Sequence, residues 1–161
     1  MSEVVAAIAG AIVGGLIALL IAGQQIRATR METRRQALSG AVNDLWVAAD
    51  RLWEGTQEAA WVVFEIQAQR AAMQTPISPE LDPMRRRALA DQAAANAQAR
   101  HSIARLRLAK ATPDLISKAD HLVKRSATFR LSVEDTTDAE NRDARASALA
   151  DFEKVAGPHL T

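Results

Sequence analysis

The sequence contains no cysteine and no tyrosine, and aromatic residues make up only 4% of its 161 residues. Without cysteine the chain has no disulfide, no thiolate metal site and no thiol nucleophile. This agrees with a domain that never relies on disulfides. Outside residues 4–23 β-branched residues are sparse, and no run alternates between apolar and polar positions as a half-buried strand would. Alanine, the strongest helix former, occupies 34 positions. The sequence therefore predicts an all-α fold.

The sequence also lacks a recognisable catalytic set. Its three histidines are His101, His121 and His159, and none belongs to an HExxH motif. Asp120 precedes His121 directly, but adjacent residues on a helix do not face each other. No glycine-rich loop follows a strand, so the nucleotide-binding fingerprints lack their structural context. We therefore expect a protein that is not an enzyme, with no cofactor and no metal site.

The most informative feature that is present is an apolar run, residues 4–23, with no charged or strongly polar side chain. As a helix this run is about 30 Å long, which matches the hydrocarbon core of a bilayer. A cleaved signal peptide would need a basic start and a shorter apolar region. A buried core helix is rarely apolar on every face over this length. The run therefore predicts a transmembrane anchor over residues 1–23.

Charges beside the run predict its orientation. Glu3 is the only charged side chain before it, whereas Arg27, Arg30, Arg34 and Arg35 follow it. Positively charged flanks stay in the cytoplasm. We expect the N-terminus outside and residues 24–161 inside a bacterial plasma (inner) membrane. The four arginines belong to a basic juxtamembrane stalk, residues 24–37, that would contact anionic lipid headgroups.

Small residues recur every fourth position within the predicted anchor, and such a stripe lets two membrane helices approach closely. The stripe predicts self-association in the membrane, although alanine and glycine are also simply common there. Its members are Ala6, Gly10, Gly14, Ala18 and Ala22.

Apolar or small residues then recur at steps of four and three, the spacing of a heptad seam. The seam consists of Leu38, Val42, Leu45, Ala49, Leu52, Thr56, Ala59, Val63, Ile66, Arg70 and Met73, with Thr56 and Arg70 as weak members. We expect a core built on Leu38, Val42, Leu45, Leu52, Val63 and Ile66. Three tryptophans and Phe64 widen this face beyond the seam of a two-stranded coiled coil, which favours a bundle. Whether the seam packs within one chain or between chains stays open.

Turn signals divide the rest of the chain. Prolines at positions 76, 79 and 83 end the first helix, and Asp82 and Pro83 are suited to start the second, over residues 83–110. The predicted seam of this second helix is thinner and consists of Leu89, Gln92, Asn96, Ala99, Ile103 and Leu106. We expect a third helix from Pro113 to about residue 133 and a fourth that begins near Thr137 and ends at Gly157. Together with the seam helix they predict an antiparallel bundle of about four helices, residues 38–157, with residues 158–161 as a tail.

Basic residues concentrate in the middle of the chain, where residues 75–133 carry a net charge of +6, while residues 134–161 carry −4. A possible basic contact patch consists of Arg85, Arg86, Arg87, Arg100, Arg105 and Arg107. Such a patch could contact phosphates or an acidic protein, or it could be solvated helix surface. No aromatic residues interleave with it, so nucleic acid is the least favoured partner.

The order of features resembles small alanine- and arginine-rich bacterial proteins with a membrane anchor and a helical domain. The segments that carry the resemblance are RATRMETRRQAL, LWVAADRLW and ARLRLAKATPDLISKADHLVK. The resemblance implies the architecture and an inner-membrane location. It implies no activity and no functional residues.

Together these patterns predict a non-enzymatic, single-pass membrane protein whose helical bundle serves as an interaction, scaffold or regulatory module at the inner face of the membrane. We expect membrane lipid, other copies of the chain and an unknown protein as its partners. One alternative is an oligomerising membrane-active effector. A further alternative is a membrane-tethered nucleic-acid binder.

Overall fold

The computed structural model describes the backbone of residues 2–72, 80–129 and 136–159, and the side chains of residues 19–72, 80–129 and 139–159. Within these residues every regular element is helical. The helices are α1 (Ser2–Ala71), α2 (Leu81–Leu108), α3 (Pro113–Ser126) and α4 (Thr136–Ala156), followed by a 3-10 turn at Gly157–His159. The predicted all-α fold with four helices is confirmed for this part of the chain.

The chain divides into two compact units, residues 1–37 (unit 1) and residues 38–161 (unit 2). In unit 1 every side chain that is described, from position 19 to position 37, is exposed. Several of these exposed side chains are large and apolar, namely Leu19, Leu20, Ile21, Ile26 and Met31.

Among the residues with described side chains, no helix is long and apolar enough to cross a membrane. The predicted anchor over residues 1–23, with its apolar run at 4–23, lies largely outside that part of the chain, because nothing is described of the side chains before position 19.

Unit 2 is a helical bundle with a continuous apolar core. From α1 the core takes Leu38, Ala41, Val42, Leu45, Ala48, Ala49 and Leu52; from α2, Ala95, Ala99, Ile103 and Leu106; from α3, Leu115, Ala119, Leu122 and Val123; and from α4, Ala148, Phe152 and Ala156. On each helix these residues recur every three or four positions, with adjacent pairs at 41 and 42, 48 and 49, and 122 and 123, so that they share one face. From Leu38 to Leu52 the heptad seam of α1 is therefore covered by helices of the same chain.

Contacts at two levels show that α1 and α2 run antiparallel. Near one end Asp44 forms an ion pair with Arg105, and further along α1 Gln92 donates a hydrogen bond to Thr56 Oγ1 at 3.1 Å. The helices approach closely there, because a Cβ atom on Gly55 would lie 3.4 Å from the Cα of Gln92. Gly55 thus allows close helix packing in the structure.

A tight turn joins α2 to α3. Lys110 adopts a left-handed conformation with φ of 56°. Its N–H donates to Arg107 and the Ala111 N–H donates to Leu106, which together form a Schellman motif. Thr112 then accepts a hydrogen bond from the Leu115 N–H at 3.3 Å, and Pro113 occupies the first turn of α3.

Two helix ends differ from the sequence-based expectation. Helix α2 begins at Leu81, before the expected Asp82 cap, because Leu81 is buried with Val62 and Ile66 in a second apolar cluster. Helix α3 ends at Ser126 and not near residue 133. Beyond that end, Phe129 packs edge-on against Trp53 with ring centroids 5.2 Å apart.

Candidate functional site

The six arginines of the predicted contact patch differ in their surroundings. Arg105 is engaged by Asp44, and Arg87 lies 3.8 Å from Asp91 one turn along the same helix. Arg85 and Arg86 are exposed at the start of α2 and form no ion pair within the described residues. Arg100 and Arg107 line a concave surface, where they meet residues of α3.

That surface is an open groove between α2 and α3 with a volume of about 400 Å³ (the basic groove). Its lining consists of Asn96, Arg100, Ile103 and Arg107 from α2, and Asp120, Val123, Lys124 and Ala127 from α3 and its C-cap. The antiparallel hairpin creates this arrangement, since the turn at Lys110 brings Arg107 beside Asp120 and places Arg100 further along. Lys124 was absent from the predicted patch because only the pairing of α2 with α3 adds it.

Positive charge dominates the basic groove. Arg107 Nη2 lies 3.4 Å from Asp120 Oδ2, so these two charges offset each other. Arg100 and Lys124 have exposed side chains and form no ion pair with any described residue. The groove therefore presents two uncompensated cations beside one ion pair, an arrangement suited to carboxylate or phosphate groups.

A second groove, of about 460 Å³, lies where α1 and α2 meet the end of α3. Its lining mixes apolar and polar side chains and consists of Thr56, Ala59, Ala60, Val63, Phe64, Gln67, Leu89, Gln92, Ala127 and Phe129. Leu89 was expected in the core seam of α2, but it is 41% exposed, and Ala88 is buried in its place. The hydrogen bond between Gln92 and Thr56 lies in the wall of this groove.

Arg145 connects α4 to α1 through an ion pair and a cation–π contact. Its guanidinium forms an ion pair with Asp50 and stacks over the ring of Trp53, with 5.3 Å between Cζ and the ring centroid. The side chain is 16% exposed, and its Nε has no hydrogen-bond partner among the described residues. Because Trp53 also contacts Phe129, the cluster joins three parts of the bundle and is structural in character.

Lys118 on α3 and Asp151 on α4 form an exposed ion pair, with Nζ 2.7 Å from Oδ2. The hydrogen bond and the attraction between the two charges raise the pKa of Lys118 and lower the pKa of Asp151. Both shifts favour the charged forms, so the pair holds α3 against α4 over the neutral pH range.

The predicted sites of unit 1 are described only in part. Ala22, the last member of the small-residue stripe, is exposed on α1, and the side chains of Ala6, Gly10, Gly14 and Ala18 lie outside the described residues. The four juxtamembrane arginines, Arg27, Arg30, Arg34 and Arg35, are all exposed on α1.

The seam residues named as the core are placed as follows. Leu38, Val42, Leu45, Leu52 and Ile66 are buried, and Val63 is half-buried beside a buried Val62. The tryptophans that widen this face differ from one another: Trp53 is buried, Trp46 is half-buried and Trp61 is 52% exposed. The exposure of each tryptophan depends on which helices pack around it.

His101 and His121 are exposed, and His159 is half-buried at the end of the 3-10 turn. Within the part of the chain that the structure describes, no three His, Asp or Glu side chains are grouped so as to hold a metal ion. The chain matches no protein-family model, no curated protein and no solved structure. We therefore infer its function from its residues and their geometry.

Proposed function

We propose that this protein is a non-enzymatic, single-pass membrane protein of the bacterial inner membrane, and that unit 2 is its cytoplasmic interaction module. In this proposal residues 4–23 cross the bilayer with the N-terminus outside. The bundle then presents its grooves to a protein partner at the inner face of the membrane.

The observation that carries the proposal is the run of twenty residues without a charged or strongly polar side chain. Leaving such a run in water would expose a large apolar surface, which soluble proteins avoid. At the end of the run, Leu20 is 68% exposed on a helix, and Leu19 and Ile21 beside it are also exposed. Lipid is a solvent that would satisfy these side chains.

The arginines that follow the run support the orientation. Arg27, Arg30 and Arg35 are exposed on α1, so their charges are available to anionic headgroups. Retention of positive residues on the cytoplasmic side then leaves unit 2 in the cytoplasm.

An interaction role is supported by the form of unit 2. Its ionisable side chains are mostly exposed or engaged in ion pairs between helices, such as Asp44 with Arg105 and Lys118 with Asp151. The two grooves described above are open and run along helices, a form that suits another polypeptide better than an enclosed substrate.

Membrane fractionation of cells expressing the chain tests the anchor. We expect the full-length protein to stay with membranes after alkaline extraction. A Val13→Asp/Leu16→Asp variant should move to the soluble fraction, because each buried charge costs about 2.5–3.5 kcal/mol at the centre of a span. Leu108→Asp is the matched control, since Leu108 is apolar and 83% exposed but lies in unit 2. A charged double variant that stays in the membrane would overturn the anchor.

Native mass analysis of the full-length protein, extracted gently from its own membranes, tests the interaction role. A foreign protein in fixed stoichiometry supports the interaction module. A pure homo-oligomer would instead favour the membrane-active effector, and bound nucleic acid would favour the tethered nucleic-acid binder.

Self-association through the stripe of small residues is a separate part of the proposal. Gly14→Ile should weaken association in a membrane, because a bulky side chain prevents close approach of the helices. Gly15→Ile adds the same bulk on a different face and should leave association unchanged. Equal association of both variants and the wild type would overturn this part.

A further inference from the structure

The basic groove continues along α3 beyond the residues that α2 provides. A shallow depression of about 390 Å³, lined by Pro113, Ile116, Ser117, Asp120, His121 and Lys124, shares Asp120 and Lys124 with it. The two concave surfaces together follow α3, whose 14 residues are about 20 Å long. Such a length fits a short polypeptide segment rather than a compact ligand.

The lining combines charge with apolar surface. Arg100 and Lys124 carry positive charges that no described residue neutralises. Ile103 and Val123 also line the groove, but they are only 4% and 6% exposed. Ile116, which is half-buried, lies in the adjoining depression. A ligand that matches this surface carries carboxylates at intervals and apolar side chains between them.

The same lining argues against two other ligand classes. No phenylalanine, tyrosine or tryptophan lines either concave surface, so a single-stranded nucleic acid would find only the His121 ring for base stacking. Both surfaces are open, whereas pockets for small anionic metabolites usually enclose most of the ligand.

We propose that the basic groove binds an acidic, amphipathic peptide segment of a partner protein, with Arg100 and Lys124 as the residues that select for it. The proposal rests on the interaction role proposed above and names the chemistry of the partner. Arg107 contributes less to selection, because Asp120 already engages its guanidinium.

Binding of a defined probe to the full-length chain tests the proposal. The probe is a fluorescein-labelled helical peptide of glutamate and leucine, on the order of twelve residues, so that its length matches α3. Fluorescence anisotropy should report saturable binding that weakens as salt rises, because exposed charges are screened. A lysine–leucine peptide and a labelled oligothymidylate of similar length serve as comparison probes.

Charge reversal identifies the surface. Arg100→Glu/Lys124→Glu should weaken binding of the acidic peptide about tenfold or more, since like charges then face each other. Arg85→Glu/Arg86→Glu is the matched control: it changes the net charge equally at two exposed arginines outside the groove, and binding should change little. Should the first variant lose its helical circular dichroism, Arg100→Gln/Lys124→Gln replaces it, with a smaller loss expected.

Zero-length cross-linking gives a second readout that does not depend on variants. A carbodiimide couples a glutamate of the peptide to a nearby lysine, and the chain has four lysines: Lys110, Lys118, Lys124 and Lys154. We expect the cross-link mainly at Lys124. A cross-link mainly at Lys154, on α4, would overturn the proposal.

The remaining outcomes are also decisive. Equal losses in both double variants would reveal attraction by net charge alone and overturn the proposal. No saturable binding, or tighter binding of the oligothymidylate, would overturn it as well. These results are separate from the membrane fractionation and native mass tests. A chain that is anchored and carries a partner but does not bind the acidic peptide disproves only the groove proposal.

Discussion

Two stretches of α1 share one backbone conformation and differ in how their side chains are covered. Between positions 19 and 37 every side chain is exposed, whereas beyond Leu38 residues such as Leu45 and Leu52 are fully buried. Packing of an amphipathic face supplies most of the stability of helices in proteins. The second stretch is therefore stabilised by its own chain. The first depends on local helix propensity and on whatever surrounds it.

The two units should differ most in their response to the loss of a large apolar side chain, because removing a buried one leaves a cavity. Phe152→Ala should lower the free energy of unfolding of unit 2 by about 3–5 kcal/mol, since Phe152 is fully buried. Ile26→Ala is the matched change in unit 1, where Ile26 is exposed, and should alter it by less than about 0.5 kcal/mol. Denaturant unfolding followed by tryptophan fluorescence measures this, because all three tryptophans lie in unit 2. Equal effects of the two variants would remove the contrast.

A second test asks how much the polar contacts inside unit 2 add to the apolar core. Arg145→Met keeps the length of the side chain but removes the ion pair with Asp50 and the stacking on Trp53. We expect a loss of about 1–2 kcal/mol in the same unfolding measurement. Arg125→Met, at an exposed arginine with no ion pair among the described residues, should change little. A more stable Arg145→Met variant would mean that the cost of burying the unpartnered Nε exceeds the gain from these contacts.

A third test concerns the backbone at the turn between α2 and α3. Lys110 has a positive φ, a conformation that glycine adopts without steric cost. Lys110→Gly should therefore raise the free energy of unfolding by about 0.5–1 kcal/mol, despite the loss of the lysine side chain's own interactions. Thermal and denaturant unfolding both report it. Lys154→Gly, within helix α4, should instead be destabilising. A destabilised Lys110→Gly variant would contradict this account of the turn.

The smallest effect is expected at the exposed pair of Lys118 and Asp151. The folded-state pKa of Asp151 is lowered, so its contribution to stability is present above its unfolded pKa and is lost as the pH falls through the folded one. The pKa of Lys118 is raised, so its contribution is lost as the pH rises through that folded pKa. Asp151→Asn should slightly lower the melting temperature near neutral pH and not in strong acid.

Salt should weaken this difference, because both groups are solvated. Asp143→Asn, at an exposed carboxylate with no ion pair among the described residues, is the control. Identical pH profiles for the wild type and Asp151→Asn would show that the pair contributes nothing measurable.

The helical class and the buried face of α1 could be read from the sequence, because heptad spacing is a property of one helix alone. The spacing places Leu45 and Leu52 on one face, and both are buried. For α2 the same approach selected Leu89, which is exposed, because residues 90–99 of that helix are alanine and polar residues and offer no large apolar side chain to mark its inner face. Ala88 is buried there instead.

The sequence predicted only some of the residues that line the basic groove. Arg100 and Arg107 were among the predicted contact residues, but so was Arg105, whose charge Asp44 engages. The sequence alone could not distinguish Arg105 from Arg100 and Arg107, because the distance from Asp44 to Arg105 depends on how α1 pairs with α2. Lys124 joins the groove only through the register of the α2–α3 hairpin. Which basic residues line the groove therefore depends on contacts between helices, and local sequence patterns do not contain that information.

The order of the helices also has a consequence during protein synthesis. Helix α1 leaves the ribosome first, yet its apolar face is covered by α2, α3 and α4, which are made later. At rates of about 5–20 residues per second, the chain from Ile66 to Ala156 takes roughly 5 to 20 seconds to complete. Until α2 has been made, Leu45 and Leu52 have no later helix of their own chain to cover them, and the core stays incomplete until α4 follows. The nascent chain is thus a potential client for chaperones that act at the ribosome, until Phe152 emerges and the core can close.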